Sequence, residues 1–291
     1  MAIRFGVTRN PLAPNVPDAL QGACRRLGVS YRIIDLSSLS VTLHPELSVR
    51  DKDGPVDVER LSPTLFYWQD QAALASDILQ ARGCRMLNSA EASRVADDKA
   101  ATALALAEAK VAQVPTTAVV SVFHQVEVAA AAYGFPVVVK RTHGAQGRWV
   151  RLAHNTADLK RATAELLEEG PGTILVQPVG AERLGESVRV IVTAGVVRAA
   201  TVRHASGGEW RSNINAGGTQ ELTELSAIEQ DLAIAATAAV GLGHAGVDLL
   251  RSSAGPAVLE VNSCPDFTSM TPYIDSDLAA IIVEQTLGLD G

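Results

Sequence analysis

GVDLLRSSAGPAVLEVNSCPDF, residues 246–267, reads as two short apolar strands around a turn. Gly246 to Arg251 forms one strand and Ala257 to Asn262 the other, with Gly255 and Pro256 as turn punctuation. In simple register Asp248 falls opposite Glu260, and period-two alternation puts Asn262 on the same face as Glu260. Two carboxylates facing each other across a ladder repel, and each favours protonation of the other. A divalent cation between them removes that cost. Asp, Glu and Asn offer only hard oxygen ligands, which suit Mg²⁺ or Mn²⁺ rather than zinc. The same spacing also describes a hairpin whose carboxylates are solvated on its outer face.

The chain has 291 residues, room for two or three packed subdomains. With 47% hydrophobic and 20% charged residues it is an ordinary globular composition, not a disordered one. A formal net charge of −7 argues against a nucleic-acid binder working through bulk charge. No apolar run reaches transmembrane length, so no membrane partner is expected. MAIRFGVTRNPLAP reads as a first strand and loop rather than a signal peptide. Cys24, Cys84 and Cys264 are far apart and odd in number, which points to a reducing cytoplasm and to no zinc knuckle. The six histidines show no zinc-type pairing.

Residues 1–88 read as a small α/β unit. AIRFGV, SYRIIDL and PTLFYW are its strands, and Pro17–Leu27 and Gln69–Arg82 its helices. TRNPLAPN follows the first strand where a dinucleotide fingerprint would need spaced glycines, so a Rossmann-type oxidoreductase loses its main support. Residues 89–178 begin with one long Ala-rich helix over about 90–112. Strand TTAVV, helix Val122–Tyr133, strand PVVVKR, strand WVRLA, helix Thr156–Glu168 and strand TILVQPV follow. Residues 179–291 hold SVRVIVT, VVRAATVRH, a loop EWRSNINAGGTQ, helix Ala227–Val240 and the hairpin. The fold class is α/β (α+β).

Three stretches carry residues that could do chemistry. Lys140 ends a β-branched run and is followed by HGAQGR, whose Gly144 and Gly147 let a backbone approach an anion while the Lys supplies a point charge. A plain hairpin turn with a solvated Lys has the same pattern. Two glycines and few apolar residues give this loop little to pack against, so it is expected to be poorly ordered without a ligand. Arg203 shares a strand face with Thr201 and presents a planar fork suited to phosphate; Arg211, Ser212, Asn213 and Gly217-Gly218 follow. A long hairpin with polar edges is the alternative there. Lys99, in ADDKAATALAL, also fits a solvated helix face.

GVDLL followed by LEVNS and a proline resembles the terminal motif of ATP-grasp carboxylate–amine ligases, most closely the RimK-type and the related LysX-type ligases. The resemblance runs from about Asn88 to Phe267; the first unit matches in layout only, as the Rossmann-like preATP-grasp subdomain of that fold. It implies that Asp248, Glu260 and Asn262 hold the Mg²⁺ ions bridging ATP phosphates. Lys140 would meet the α- and β-phosphates, although Arg141 replaces a Pro and Ala145 a common Ser. Asp98, Lys99 and Thr102 match the segment whose Lys points into the ATP cleft. ILVQPVG would connect the second and third units, with adenine against Gln177, Pro178 and Val179; Pro178 replaces an acidic residue. Ser187-Val188-Arg189 stands where relatives show D-x-R. RSN-x-x-x-GG matches the segment that contacts ATP and borders the acceptor site, and Arg203 would stabilise the transferring phosphoryl group. The implied reaction activates a carboxylate as an acyl phosphate and passes it to an amine, with a small molecule, carrier peptide or protein tail as acceptor. Pro265-Asp266-Phe267 favours the first two. A ligase making a dipeptide, a non-catalytic ATP-binding regulator and a homo-oligomer (dimer or tetramer) are compatible with the same residues.

Overall fold

The runs of Val, Ile and Leu that alternate with polar residues become the strands of four sheets. The computed structural model describes residues 5–9, 15–35, 38–57, 64–65, 73–83, 86–120, 123–144, 147–168, 170–179, 184–207, 210–212, 214, 217–274 and 276–288. In the first unit β1 (Phe5–Arg9), β2 (Tyr31–Asp35), β6 (Thr64–Leu65) and β7 (Met86–Leu87) form a parallel sheet in the order β2-β1-β6-β7, with helices α1 (Val16–Arg26) and α2 (Ala73–Ala81). Between β2 and β6 lies a small antiparallel wing of β3 (Ser40–Thr42), β4 (Ser48–Asp51) and β5 (Gly54–Pro55). Arg32 on β2 pins the wing through Asp51 and the Pro55 carbonyl, each at 2.6 Å. The residues of PTLFYW after Leu65 lie outside the described residues.

The single Ala-rich helix expected over 90–112 is two helices, α3 (Ala90–Asp97) and α4 (Lys99–Glu108). Asp98 breaks it. Its backbone is extended and its carboxylate accepts from the amides of Ala100 and Ala101, so it caps α4 instead of continuing α3. A short acid competes well for orphan helix amides, and this outweighs the helix propensity of its alanine neighbours.

The second unit is an antiparallel sheet, β10-β9-β11-β8, from β8 (Thr117–Val120), β9 (Val137–Arg141), β10 (Val150–Ala153) and β11 (Thr173–Pro178). Helices α5 (Phe123–Tyr133) and α6 (Thr156–Glu168) cover it through Val126, Ala130, Leu159 and Leu166. The third unit is a five-stranded antiparallel sheet, β14-β13-β12-β15-β16, from β12 (Glu186–Thr193), β13 (Val196–His204), β14 (Thr219–Leu222), β15 (His244–Leu250) and β16 (Ala257–Asn262). Val188, Val190, Val247 and Val261 pack with Ala233 and Ala236 of α7 (Ala227–Val240). Ala92, Ala96 and Leu106 join that core, so α3 and α4 pack on the third sheet rather than the second.

The other face of the third sheet is divided. Ile191 and Ala199 pack with α1, α8 (Leu278–Leu287), Phe267 and Met270. The remaining end carries the polar residues described below. Asn88 staples the first unit to this sheet: its amide donates to the carbonyls of His244 and Ser263 at 2.7 and 2.9 Å and accepts from the amides of Gly243 and His244.

Candidate active site

Strand pairing sets the site. Ser187 lies opposite Arg203, Arg189 opposite both Thr201 and Asp248, Asp248 opposite Glu260, and Gly246 opposite Asn262. Period-two alternation therefore puts Ser187, Arg189, Arg203, Asp248, Glu260 and Asn262 on one face. Asp248 faces Glu260 only because a bulge follows: Leu249 pairs with Val258, which leaves Leu259 as the extra residue. Leu259 is turned into the adjoining pocket. The connection is anchored by Arg251, whose Nε donates to Glu229 Oε1 at 2.5 Å.

The two carboxylates do not face each other bare. Arg189 donates to both oxygens of Asp248, Nε to Oδ1 at 2.5 Å and Nη2 to Oδ2 at 2.7 Å. Both side chains are nearly buried, 11% and 12% exposed. Burial alone would raise the Asp248 pKa, but Arg189 outweighs it and holds the carboxyl below its ordinary value. Arg189 itself is raised, since Asp248 more than offsets its desolvation. Glu260 Oε1 lies 3.2 Å from Lys99 Nζ. Mutual repulsion, expected from the hairpin alone, is thus replaced by two ion pairs whose cations come from β12 and α4. Gly246 makes room for the first: a Cβ there would lie 2.7 Å from Pro265 Cβ and 3.0 Å from Arg189 Nη1.

Beside this face a small pocket opens between the second and third sheets, lined by Lys99, Lys140, Gln177, Leu106, Leu259 and Glu260 among others. Lys140 is 5% exposed, and burial pushes its pKa down to about 8; Glu260 pulls it up and Lys99 pushes it further down. Gln177 Nε2 donates to Thr116 Oγ1 at 2.8 Å, which orients the amide at the pocket wall. Pro178 ends β11, and the Val179 amide donates to the Pro136 carbonyl at 3.2 Å, so that donor is engaged within the second unit.

Arg203 is 9% exposed and its Nε has no hydrogen-bond partner. Burial pushes its pKa down to about 10, assisted by Arg189 and opposed by Asp248 and Asp266, so it remains charged at neutral pH. Ser187 Oγ lies 2.6 Å from Ser212 Oγ, joining β12 to the loop after β13. Asn213 lies outside the described residues. Residues 145–146 of the glycine loop lie outside the described residues. Lys99 Nζ donates to the Gly144 carbonyl and Arg211 Nη1 to the Gly147 carbonyl, both at 2.7 Å. Asp266 received no role of its own in the sequence. It acts electrostatically on both Arg189 and Arg203, while its Oδ1 accepts from Thr268. The acid in the NSCPDF tail was the available signal.

Among the described residues no three His, Cys, Asp or Glu side chains cluster for a metal ion. The donors at this face are two carboxylates and one amide. The all-oxygen set of Asp248, Glu260 and Asn262 fits a hard divalent cation that keeps further ligands from solvent or phosphate. Asp248 would then share its oxygens with Arg189.

Comparison with known proteins agrees with this architecture. Residues 96–286 match the RimK-like ATP-grasp domain. A probable alpha-L-glutamate ligase of Pseudoalteromonas atlantica is 42% identical over 154 residues, 52% of this chain and 50% of that protein. The chain thus spans about half the length of the curated relatives it matches. A RimK-domain ATP-grasp protein of Sphaerobacter thermophilus shares the fold with a TM-score of 0.74 at 19% identity, over 97% of this chain and 98% of that one. The ATP-grasp ligase PsnB, solved with a variant precursor, Mg and ADP, does so with a TM-score of 0.69 at 18% identity, over 98% of this chain and 97% of that one. No helix among the described residues is long and apolar enough to cross a membrane. With its motifs, its paired sheets and the match over residues 96–286, the chain belongs to the RimK-like ATP-grasp family.

Proposed function

We propose that the protein is an ATP-dependent carboxylate–amine ligase. The observation that carries this is the convergence of Lys99, Lys140, Gln177 and Glu260 on one pocket, next to a sheet face bearing Arg203, Asp248 and Asn262. A buried lysine, a second lysine and a buried guanidinium whose Nε lacks a hydrogen-bond partner make a site for a polyanion. In this reading adenine lies against Gln177, Pro178 and Val179, with Ser187 near the ribose. Lys140 and Lys99 neutralise phosphates. Asp248, Glu260 and Asn262 would hold Mg²⁺ or Mn²⁺, which when bound supplies further charge neutralisation for the phosphates. Arg189 holds Asp248 in place. The second unit acts as a lid over the nucleotide, with unit boundaries near residues 88 and 178 and with α3 and α4 riding on the third unit.

The chemistry needs no protein nucleophile. An oxygen of the acceptor carboxylate attacks the γ-phosphorus of ATP, the γ-phosphorus to bridging-oxygen bond breaks, and ADP leaves. The amine nitrogen then attacks the acyl carbon, loses a proton, and expels phosphate with the C–O electron pair. Arg203, charged and lacking a hydrogen-bond partner at Nε, would stabilise the phosphoryl group as charge shifts during transfer. The relatives' names point to glutamate as the first amino acid to test, and a small molecule or carrier peptide is the favoured acceptor class. The deciding experiment measures ADP release while amino acids and carboxylates are screened, with mass detection of the amide. Arg203→Ala is expected to lower turnover more than ATP affinity. ATP binding with no amino-acid-dependent ADP release and no product mass would favour the non-catalytic regulator instead.

A further inference from the structure

The neutral polar side chains that line the pocket are Thr102, Gln113, Thr116 and Gln177, and each turns a donor to the protein. Thr102 Oγ1 donates to the Val95 carbonyl and Gln113 Nε2 to the Ala103 carbonyl, both at 2.8 Å. Thr116 Oγ1 donates to the Val114 carbonyl at 2.8 Å, and Gln177 Nε2 donates to Thr116 Oγ1 at 2.8 Å. The last two bonds fix one another. A hydroxyl has a single hydrogen and a carbonyl can only accept, so the Thr116 hydrogen is committed to Val114. Thr116 Oγ1 can then only accept, and Gln177 must offer it the nitrogen branch of its amide. The oxygen branch, Oε1, takes no hydrogen bond among the described residues. Gln113 has the same polarity, because its partner is a backbone carbonyl.

This polarity is anchored in the third unit. The Val114 amide donates to the Val258 carbonyl and the Val258 amide to the Ala112 carbonyl, both at 2.9 Å, which lays residues 112–114 along β16. Gln177 comes from the other side, on β11, and is 6% exposed. The chain of bonds from Val114 through Thr116 to Gln177 thus joins the two sheets at the pocket wall. The backbone at the end of β11 adds no donor. Pro178 has no N–H, and the Val179 amide is given to the Pro136 carbonyl at 3.2 Å. The charged donors stand apart. Lys99 Nζ is 3.2 Å from Glu260, and Glu260 also acts on Lys140. Lys140 is in register with Leu175, two residues or about 7 Å along β11 from Gln177.

We propose that Thr116 is a positioning residue that decides which base the pocket accepts. By holding the Gln177 amide with its oxygen left for the ligand, it selects a base carrying an exocyclic amino group and rejects one carrying an oxo group in that place. This rests on reading the pocket as the nucleotide site, with the base against Gln177. An amino group donates to Oε1 and satisfies it. An oxo group is itself an acceptor, so the two oxygens oppose each other and both stay unpaired. Gln177 cannot turn its nitrogen to the oxo group without setting its oxygen against Thr116, whose hydrogen is already given away. The discrimination is therefore built into Thr116 and its backbone anchor, neither of which needs to touch the base.

The test is calorimetric titration with Mg-ADP and with Mg-IDP, the inosine nucleotide that carries an oxo group where ADP carries its amino group. Wild type, Thr116→Val and Thr116→Ser are compared. Wild type should prefer ADP by about tenfold to a hundredfold, the range set by one lost hydrogen bond and an opposed buried acceptor. Thr116→Val keeps nearly the same shape and removes the hydroxyl, so the amide is free to turn. Its preference should fall to about threefold or less, with ADP weaker and IDP tighter, whereas Thr116→Ser should keep the wild-type ratio. A merely structural role for Thr116 would weaken both nucleotides alike and leave the ratio intact, and that result overturns the proposal. So does a Thr116→Ser protein that behaves like Thr116→Val. Gln177→Met gives a second measurement: it should weaken ADP and leave IDP within about twofold of wild type, and equal losses count against the proposal. A wild-type protein that binds neither nucleotide removes the nucleotide reading and this inference with it. Binding of both with equal affinity removes this inference alone, and selective ADP binding without amino-acid-dependent ADP release upholds it while removing the ligase reading.

Discussion

Asp248→Asn should destabilise the protein far more than Glu260→Gln, although both carboxylates sit in one cross-strand pair. Asp248 takes two hydrogen bonds from Arg189, at 2.5 and 2.7 Å, in a pair whose side chains are 11% and 12% exposed. Removing the acid's charge leaves a buried guanidinium without its counter-ion, which costs about 3–5 kcal/mol. Glu260 is 31% exposed and meets Lys99 through a single 3.2 Å contact. A pair of that kind contributes about 0–1 kcal/mol. At roughly 2–4 °C per kcal/mol for a chain of this size, Asp248→Asn should melt on the order of 10 °C below wild type and Glu260→Gln within a few degrees of it. Thermal and urea unfolding of the nucleotide-free proteins supply the comparison, beside the Mg²⁺ dependence of ADP release, which both variants should lose. The double variant Arg189→Met/Asp248→Leu gives the control. It should recover most of the stability without recovering activity, because two apolar side chains replace a buried pair at little cost. Equal melting temperatures for Asp248→Asn and Glu260→Gln would refute the argument that the Arg189 pair, not carboxylate repulsion, governs this hairpin.

Lys140, with its pKa near 8, should bind phosphate less well as pH rises through that value, so Mg-ADP affinity should fall between pH 7 and 9.5 in wild type and stay flat, and weaker, in Lys140→Met. The same shift acts oppositely on folding. Between about 8 and its ordinary 10.5 the unfolded chain holds the extra proton, so Lys140's contribution to stability rises with pH across that window. His244, wholly buried against Thr193 and Phe267, has its pKa pushed down to about 3. Its contribution is complete above 6.5 and is lost as pH falls towards 3, by an amount on the order of a few kcal/mol; urea midpoints of wild type should therefore fall more steeply with acid than those of His244→Gln. Gly246→Ala adds a methyl 2.7 Å from Pro265 Cβ and 3.0 Å from Arg189 Nη1, which should cost about 1–3 kcal/mol and weaken metal-dependent turnover, while equal stability would show that Arg189 moves aside freely.

The hairpin was legible because its two signals, alternation and turn residues, are local. The bulge at Leu259 was not, since it depends on which side chain the neighbouring pocket will take. Arg189 stands in the sequence only as part of the Ser187-Val188-Arg189 match; its partner Asp248 lies 59 positions away and meets it only once β12 and β15 pair. Asp98 is visible in the sequence as an acid inside an alanine run, and an N-cap is one common role of such a residue. The wing β3–β5 escaped because its strands are short and expose most of their residues. The polar face itself was readable from residue types, whereas its state of charge was not, because the compensating cations come from other strands and from α4.

That compensation bears on how the site meets its ligand. Arg189 with Asp248 and Lys99 with Glu260 form two internal ion pairs at the face. Lys140 and Arg203 are buried there, and burial pushes the pKa of each down. A nucleotide phosphate chain brings the missing negative charge, and a divalent cation bound with it brings positive charge back to Glu260 when Lys99 turns towards phosphate. Neither ligand alone restores the balance. Nucleotide without metal leaves Glu260 beside phosphate with no cation, and metal without nucleotide crowds Lys99 and Lys140. The two should therefore bind with positive coupling, each raising the affinity for the other by the same factor. Calorimetric titration of ADP with and without Mg²⁺, and of Mg²⁺ with and without ADP, measures both arms. Glu260→Gln, which removes the group left uncompensated, should reduce the coupling while preserving much of the affinity for metal-free ADP. Coupling of wild-type size in that variant would mean that the balance of charge at this face is set elsewhere.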